Sequence, residues 1–171
     1  MGTFVPNAAT VTLEAPSISF DRADLEIYGL DHSKATFEGR VFLNNEAAGP
    51  QTSHEDPSYA GSFWGFGHGG CAGDEGHCEP VAERRPFDFR LEHQLTPVTK
   101  FVTITDALRA RVEPGKSFQV TIVPIVRPEV AADLPDALVT DLLHFDQTRL
   151  LTYQSGAGSS QPNAVHHEVA T

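Results

Sequence analysis

Apolar residues in this chain come in short runs that alternate with period two, and proline or glycine cuts nearly every run before it could complete a helix. Twelve prolines and fourteen glycines are spread through 171 residues. The runs 10–13 (TVTL) and 17–20 (SISF) alternate on either side of Ala15-Pro16, as two short strands or one interrupted edge strand would. Residues 25–28 (LEIY) alternate as well, and 37–43 (FEGRVFL) is a stronger strand that stops at the turn-forming pair Asn44-Asn45. A polar, punctuated loop follows over 46–57, then a strand at 59–66 (YAGSFWGF), then a segment whose glycine density rules out regular structure.

The second half repeats the pattern. Residues 100–105 (KFVTIT) alternate, 106–112 can form one or two helical turns, and Glu113-Pro114-Gly115-Lys116 is a turn. The clearest strand is 117–126 (SFQVTIVPIV). Its Pro124 predicts a bulge or an edge position, because proline cannot donate to a ladder. A last strand is expected at 145–153 (FDQTRLLTY). Seven or eight such strands predict an all-β domain, an antiparallel β-sandwich or jelly-roll-like barrel. A βαβ fold would need repeated amphipathic helices, and the sequence offers one weak helical segment. Residues 1–153 are read as a single domain, and 154–171, rich in Gly, Ser and Asn, as a flexible tail.

Charge narrows the partners. Twelve Lys and Arg against 23 Asp and Glu give −11, an acidic surface that repels phosphate backbones and disfavours nucleic acid. No stretch approaches the roughly 18–20 apolar residues of a membrane helix. The first twenty residues show no basic start followed by an apolar run, so the expected location is cytoplasmic, with export by another route or with a partner left open.

The densest chemistry lies in His68-Gly-Gly-Cys71-Ala-Gly-Asp-Glu-Gly-His77-Cys78. His68, Cys71, His77 and Cys78 together can supply the four N/S ligands that suit copper or zinc, with thiolates favouring zinc or cuprous ion. The spacing is irregular, since one pair is His-x2-Cys and the other an adjacent His-Cys. Two alternatives stay open: Cys71 and Cys78 form a short disulfide that pins the loop, with no metal bound, or the thiols are unlinked. The remaining histidines read differently. His32 and His54 sit in polar turns and are expected to face solvent. His93 lies in a segment of mixed charges, His144 between Leu143 and Phe145 is expected to be partly buried, and His166 and His167 belong to the tail.

Nothing in the chain marks an enzyme in its own right. There is no Gly-x-Ser-x-Gly elbow, and the glycine-rich segment lacks the Gly-Lys-Ser/Thr ending of a phosphate loop. A dicopper oxidase centre would need about six histidines, largely from helices, and no His-x3-His spacing is present.

Three stretches carry a family resemblance: Tyr59-Ala60-Gly61-Ser62-Phe63, then 101–108 (FVTITDAL), then 118–124 (FQVTIVP). In order and spacing, over residues 37–126, the chain resembles the C-terminal β-domain of type 3 copper proteins: tyrosinases, hemocyanins and plant polyphenol oxidases. In that family the β-domain packs on the copper domain and in several members shields its active-site entrance. The resemblance therefore implies a non-catalytic accessory module, at most a subunit of a copper oxidoreductase. Its implied partner is a type 3 copper catalytic subunit, with self-association the alternative. Two departures stand out. The chain opens directly on β-like sequence with no dicopper domain, and its cysteines lack the Cys-x2-Cys pattern that in some tyrosinase C-terminal domains is linked to copper loading. By analogy of role, the competing functions are a Cu(I) metallochaperone acting through Cys71 and Cys78, or a self-assembling structural protein.

Overall fold

The alternating runs pair with one another in a computed structural model that describes residues 8–69, 87, 97–133, 135–155 and 165–167. Among these residues the elements are β1 (Ala9–Glu14), β2 (Arg22–Leu30), β3 (Phe37–Leu43), β4 (Tyr59–Gly65), β5 (Val98–Thr103), α1 (Thr105–Arg111), β6 (Ser117–Ile125), α2 (Pro128–Asp133), α3 (Asp136–Val139), β7 (Gln147–Tyr153) and β8 (Val165–His167). One sheet runs β1-β6-β3-β4 and the other β5-β2-β7-β8. All of these pairings are antiparallel. The fold is an all-β sandwich; among the described residues the strands do not close into a barrel.

The period-two pattern decides which side chains meet between the sheets. Phe37, Val41 and Leu43 on β3 and Phe118, Val120 and Ile122 on β6 point inward from one sheet. Ala23, Leu25 and Ile27 on β2, Val102 on β5 and Leu150 on β7 answer from the other, and all are buried in a single cluster. Burying side chains of this size stabilises the fold by about 1.5–3 kcal/mol each. Helix α1 adds Leu108 to that core; the Thr105 hydroxyl accepts from the Ala23 amide at 2.9 Å and ties its first residue to β2. The short helices between β6 and β7 had no sequence signal, and the segment they belong to delivers Val139, Leu142 and Leu143 to the core.

Two glycines on the β3–β4 ladder have a packing role. Gly39 pairs with Phe63 and Gly65 with Phe37, so each glycine lies beneath the ring of its cross-strand partner. The two rings meet edge to face at 6.1 Å. Gly61 does something else. The register slips between Val41 and Phe42, and Gly61 takes φ 149° at that bulge, close against Val102 of β5.

The run 17–20 is not a strand. β1 ends where Glu14 pairs with Ser117, the first residue of β6, and Pro16 follows with no amide to donate, so the next residues have no partner strand. Pro124 sits in a strand paired on both sides, but the described pairing with β1 ends at Ile122, and Pro124 is buried opposite Gly39 of β3. Within the segment read as tail, β8 pairs with Leu150, Leu151 and Thr152 of β7. Among the described residues no helix is long and apolar enough to cross a membrane.

Candidate functional site

Of the four residues singled out as metal ligands, His68 lies within the described structure; Cys71, His77 and Cys78 lie outside the described residues. His68 follows β4 on a short ledge formed by two segments running side by side, 32–36 and 66–69. Asp31 opens the first by accepting the Ser33 amide at 2.8 Å, a tight side-chain turn that contains His32. The segments are joined by the Gly67 amide to the Thr36 hydroxyl at 3.0 Å and the Gly69 amide to the Lys34 carbonyl at 2.9 Å. The Lys34 ammonium in turn donates to the Asp141 carbonyl at 2.7 Å, beyond the end of α3.

On this ledge the rings of His32 and His68 meet edge to face, with centres 5.2 Å apart and planes at 61°. His32 Nδ1 lies 3.2 Å from the Phe66 carbonyl. A carbonyl can only accept, so Nδ1 is the donor in this contact. Sequence spacing could not have paired these residues: 36 positions separate them, and pairing between strands brings them together. Among the described residues no three His, Cys, Asp or Glu side chains are grouped closely enough to hold a metal ion.

At the end of β4 and just beyond it, aromatic side chains have opposite fates. Phe63 is 5% exposed and belongs to the core, whereas Phe66 is 65% exposed. Trp64 stacks on Phe66 with ring centres 6.4 Å apart, Arg127 lies over Trp64 at 5.3 Å, and Lys100 lies over Phe66 at 5.8 Å. The result is a surface array of two aromatic rings and two cations built from β4, β5 and the residues after β6.

The other histidines go to separate places. His54 Nε2 meets Glu38 Oε1 at 3.0 Å, and Arg40 Nε meets Glu38 Oε2 at 3.1 Å. Burial pushes the Glu38 carboxyl up, but hydrogen bonds from His54, Arg40 and Ser62 outweigh it and hold the group below its ordinary range. The His144 side chain is half exposed rather than enclosed, with Nε2 2.7 Å from Asp141 Oδ2. His93 lies outside the described residues. A mostly apolar cavity of about 320 Å³ sits apart from all of these, between residues 15–20 and α1. Arg109 there reaches the Phe20 and Asp21 carbonyls.

No protein-family model matches the chain, and no curated protein matches it. Among solved structures, the chain has a fold-level similarity to a latent aurone synthase, a polyphenol oxidase, from natural source. The similarity covers 87% of this chain and 25% of that one, at 16% identity and a TM-score of 0.43. The chain thus spans about a quarter of that protein's length.

Proposed function

We propose that this chain is a non-catalytic β-sandwich binding module that packs on a type 3 copper partner and screens its active-site entrance. The observation that carries the reading is the Trp64–Phe66 array flanked by Arg127 and Lys100. Interface anchors are enriched in aromatic and arginine side chains, and a ring as exposed as Phe66 contributes little to a monomer's own core. The sequence resemblance over residues 37–126 supplies the partner class. The proposal includes a copper or zinc site in the 68–78 segment, drawing on His68, Cys71, His77 and Cys78, because imidazoles and thiolates are the ligands such ions select.

Titrating the full chain into a purified type 3 copper catalytic domain tests the packing reading, followed by sedimentation and by phenol-oxidation rate. Binding with loss of turnover is expected, and Phe66→Ala should weaken it at least tenfold, the scale of an interface anchor. Absence of a complex at about 100 μM of each protein, a concentration at which even weak specific association registers, overturns it.

A further inference from the structure

We propose that the cavity between residues 15–20 and α1 is a binding site for a small monocarboxylate with an apolar body, its head group held by Arg109. The site lies apart from the Trp64–Phe66 array and is independent of the role given to that surface.

The cavity is lined by an alternation that has no sheet to serve. Ile18 and Phe20 alternate with Ser17 and Ser19 as strand residues would, yet the segment pairs with no strand among the described residues. Both apolar side chains line the cavity instead. Phe20 also packs at the margin of the core, whereas Ile18 is 54% exposed. From the other side come Leu108 and Val112, one helical turn apart and therefore on one face. The volume of about 320 Å³ lies at the lower end of the roughly 300–1,000 Å³ of small-molecule sites, which are likewise mostly apolar with few polar groups.

Both ends of the segment are pinned, which holds the cavity open. At one end the Ala15 amide donates to the Lys116 carbonyl at 2.9 Å and the Gly115 amide to the Pro16 carbonyl at 3.3 Å. At the other, the Asp21 amide donates to the Tyr153 carbonyl at 2.8 Å. A site fixed before its ligand arrives loses less freedom on binding.

Charge selects the ligand. Arg109 is the single ionisable side chain on the lining. Its Nη2 donates to the Phe20 and Asp21 carbonyls, and its guanidinium lies 5.2 Å from the centre of the Phe20 ring. Those contacts fix the plane of the group and leave the Nε and Nη1 N–H groups for an acceptor. Among the described residues no carboxylate forms an ion pair with it; the nearby Asp21 carboxylate accepts from the Ser155 amide. A cation in this state beside an apolar cavity, in a chain of net charge −11, fits a ligand with an anionic head and an apolar body.

The probe is naphthoate, titrated into the full ¹⁵N-labelled chain while amide shifts are followed, with naphthalenemethanol as its uncharged counterpart. Saturable shifts in residues 15–20 and 105–115 are expected, with a Kd of about 1 mM or below. The alcohol should bind at least about threefold more weakly, the scale of an exposed charge pair. Arg109→Gln should bring naphthoate down to the affinity of the alcohol, and Arg109→Lys should restore part of the difference. Ile18→Asp changes an exposed side chain, sets a carboxylate beside the cavity and should weaken naphthoate by a similar factor. No saturation up to about 5 mM naphthoate overturns the site. Equal binding of acid and alcohol overturns the carboxylate assignment, and shifts centred on Trp64 and Phe66 mark adventitious binding to exposed rings and overturn the site as well. Arg109→Gln also removes the bonds to Phe20 and Asp21, whereas Ile18→Asp leaves them in place. Unchanged naphthoate affinity in Ile18→Asp therefore overturns the proposal whatever Arg109→Gln does.

Discussion

Two segments flank β4, and they use the same kinds of residue to opposite ends. The loop before it, 44–58, is polar in sequence yet lies over the outer face of its sheet. Ala48 and Tyr59 close over Phe42 and Val123 there, forming a second small core. The ledge after β4, 66–69, is held as firmly by hydrogen bonds but carries the exposed Phe66 and His68 at the surface. The loop pairs its polar groups within itself: the Asn45 side-chain amide donates to the Ser58 hydroxyl at 2.9 Å, the Gly49 amide to Thr52 Oγ1 at 2.9 Å, the Ser58 amide to Asp56 Oδ1 at 2.8 Å and the Thr52 amide to the Gly49 carbonyl at 2.9 Å. With its polar groups paired internally, it can cover apolar surface without leaving donors stranded. The ledge pairs its backbone with the neighbouring segment and presents Phe66 and His68 at the surface.

Phe42→Ala is the strongest way to break this contrast. Removing a fully buried ring should cost about 3–5 kcal/mol, read as a lowered urea midpoint, with amide exchange of residues 44–58 accelerating ahead of the rest. Gly67→Ala comes next and acts on the ledge. A methyl there meets the Lys34 carbonyl backbone, which has nowhere cheap to move. A loss of about 1–3 kcal/mol is expected, together with weaker Zn²⁺ binding, because His68, one of the proposed ligands, is displaced. If stability falls and Zn²⁺ affinity does not, the ledge positions no ligand.

Glu38 links the loop to its sheet through His54, and its effect depends on pH. Its folded pKa lies below the ordinary glutamate value of 4.5, so the native state binds fewer protons than the unfolded chain. The contribution is present in full above the unfolded value and is lost as pH falls through the folded one. Glu38→Gln should therefore lower stability by about 1 kcal/mol at neutral pH and flatten the acid limb of the stability curve below about pH 4.5. An unchanged acid limb would show that the His54–Glu38 contact contributes nothing to the closed loop. Phe66→Ala should have the smallest effect on folding, within about 0.5 kcal/mol, while carrying the tenfold loss in partner binding. A large fall in stability would make Phe66 part of the core and remove the interface argument.

The strands were legible because period-two alternation is a local property. β3 coincides with the run 37–43, and the expected ends of β4 and β6 each differ from the observed ones by one residue. The run 17–20 alternates equally well and is not a strand, because a strand also needs a partner and β6 begins opposite Glu14. The stretch 46–57 read as a polar loop because its side chains are; that Phe42 lies buried beneath it depends on which face of β3 the chain crosses. Aromatic content marked β4, but only packing separated Phe63 from Phe66. Of the candidate site, His68 was legible from its cysteine- and histidine-rich neighbourhood, and His32 was read as solvent-facing because its own surroundings are polar.

The sequence by itself determined an acidic all-β chain with its N/S ligand types concentrated after the fourth strand, because composition and alternation are carried by neighbouring residues. Only the tertiary structure decided that His32, from the end of β2, stands against His68. That contact spans 36 residues and follows from the backbone bonds that join 32–36 to 66–69 beside the β3–β4 ladder, a register no local pattern encodes.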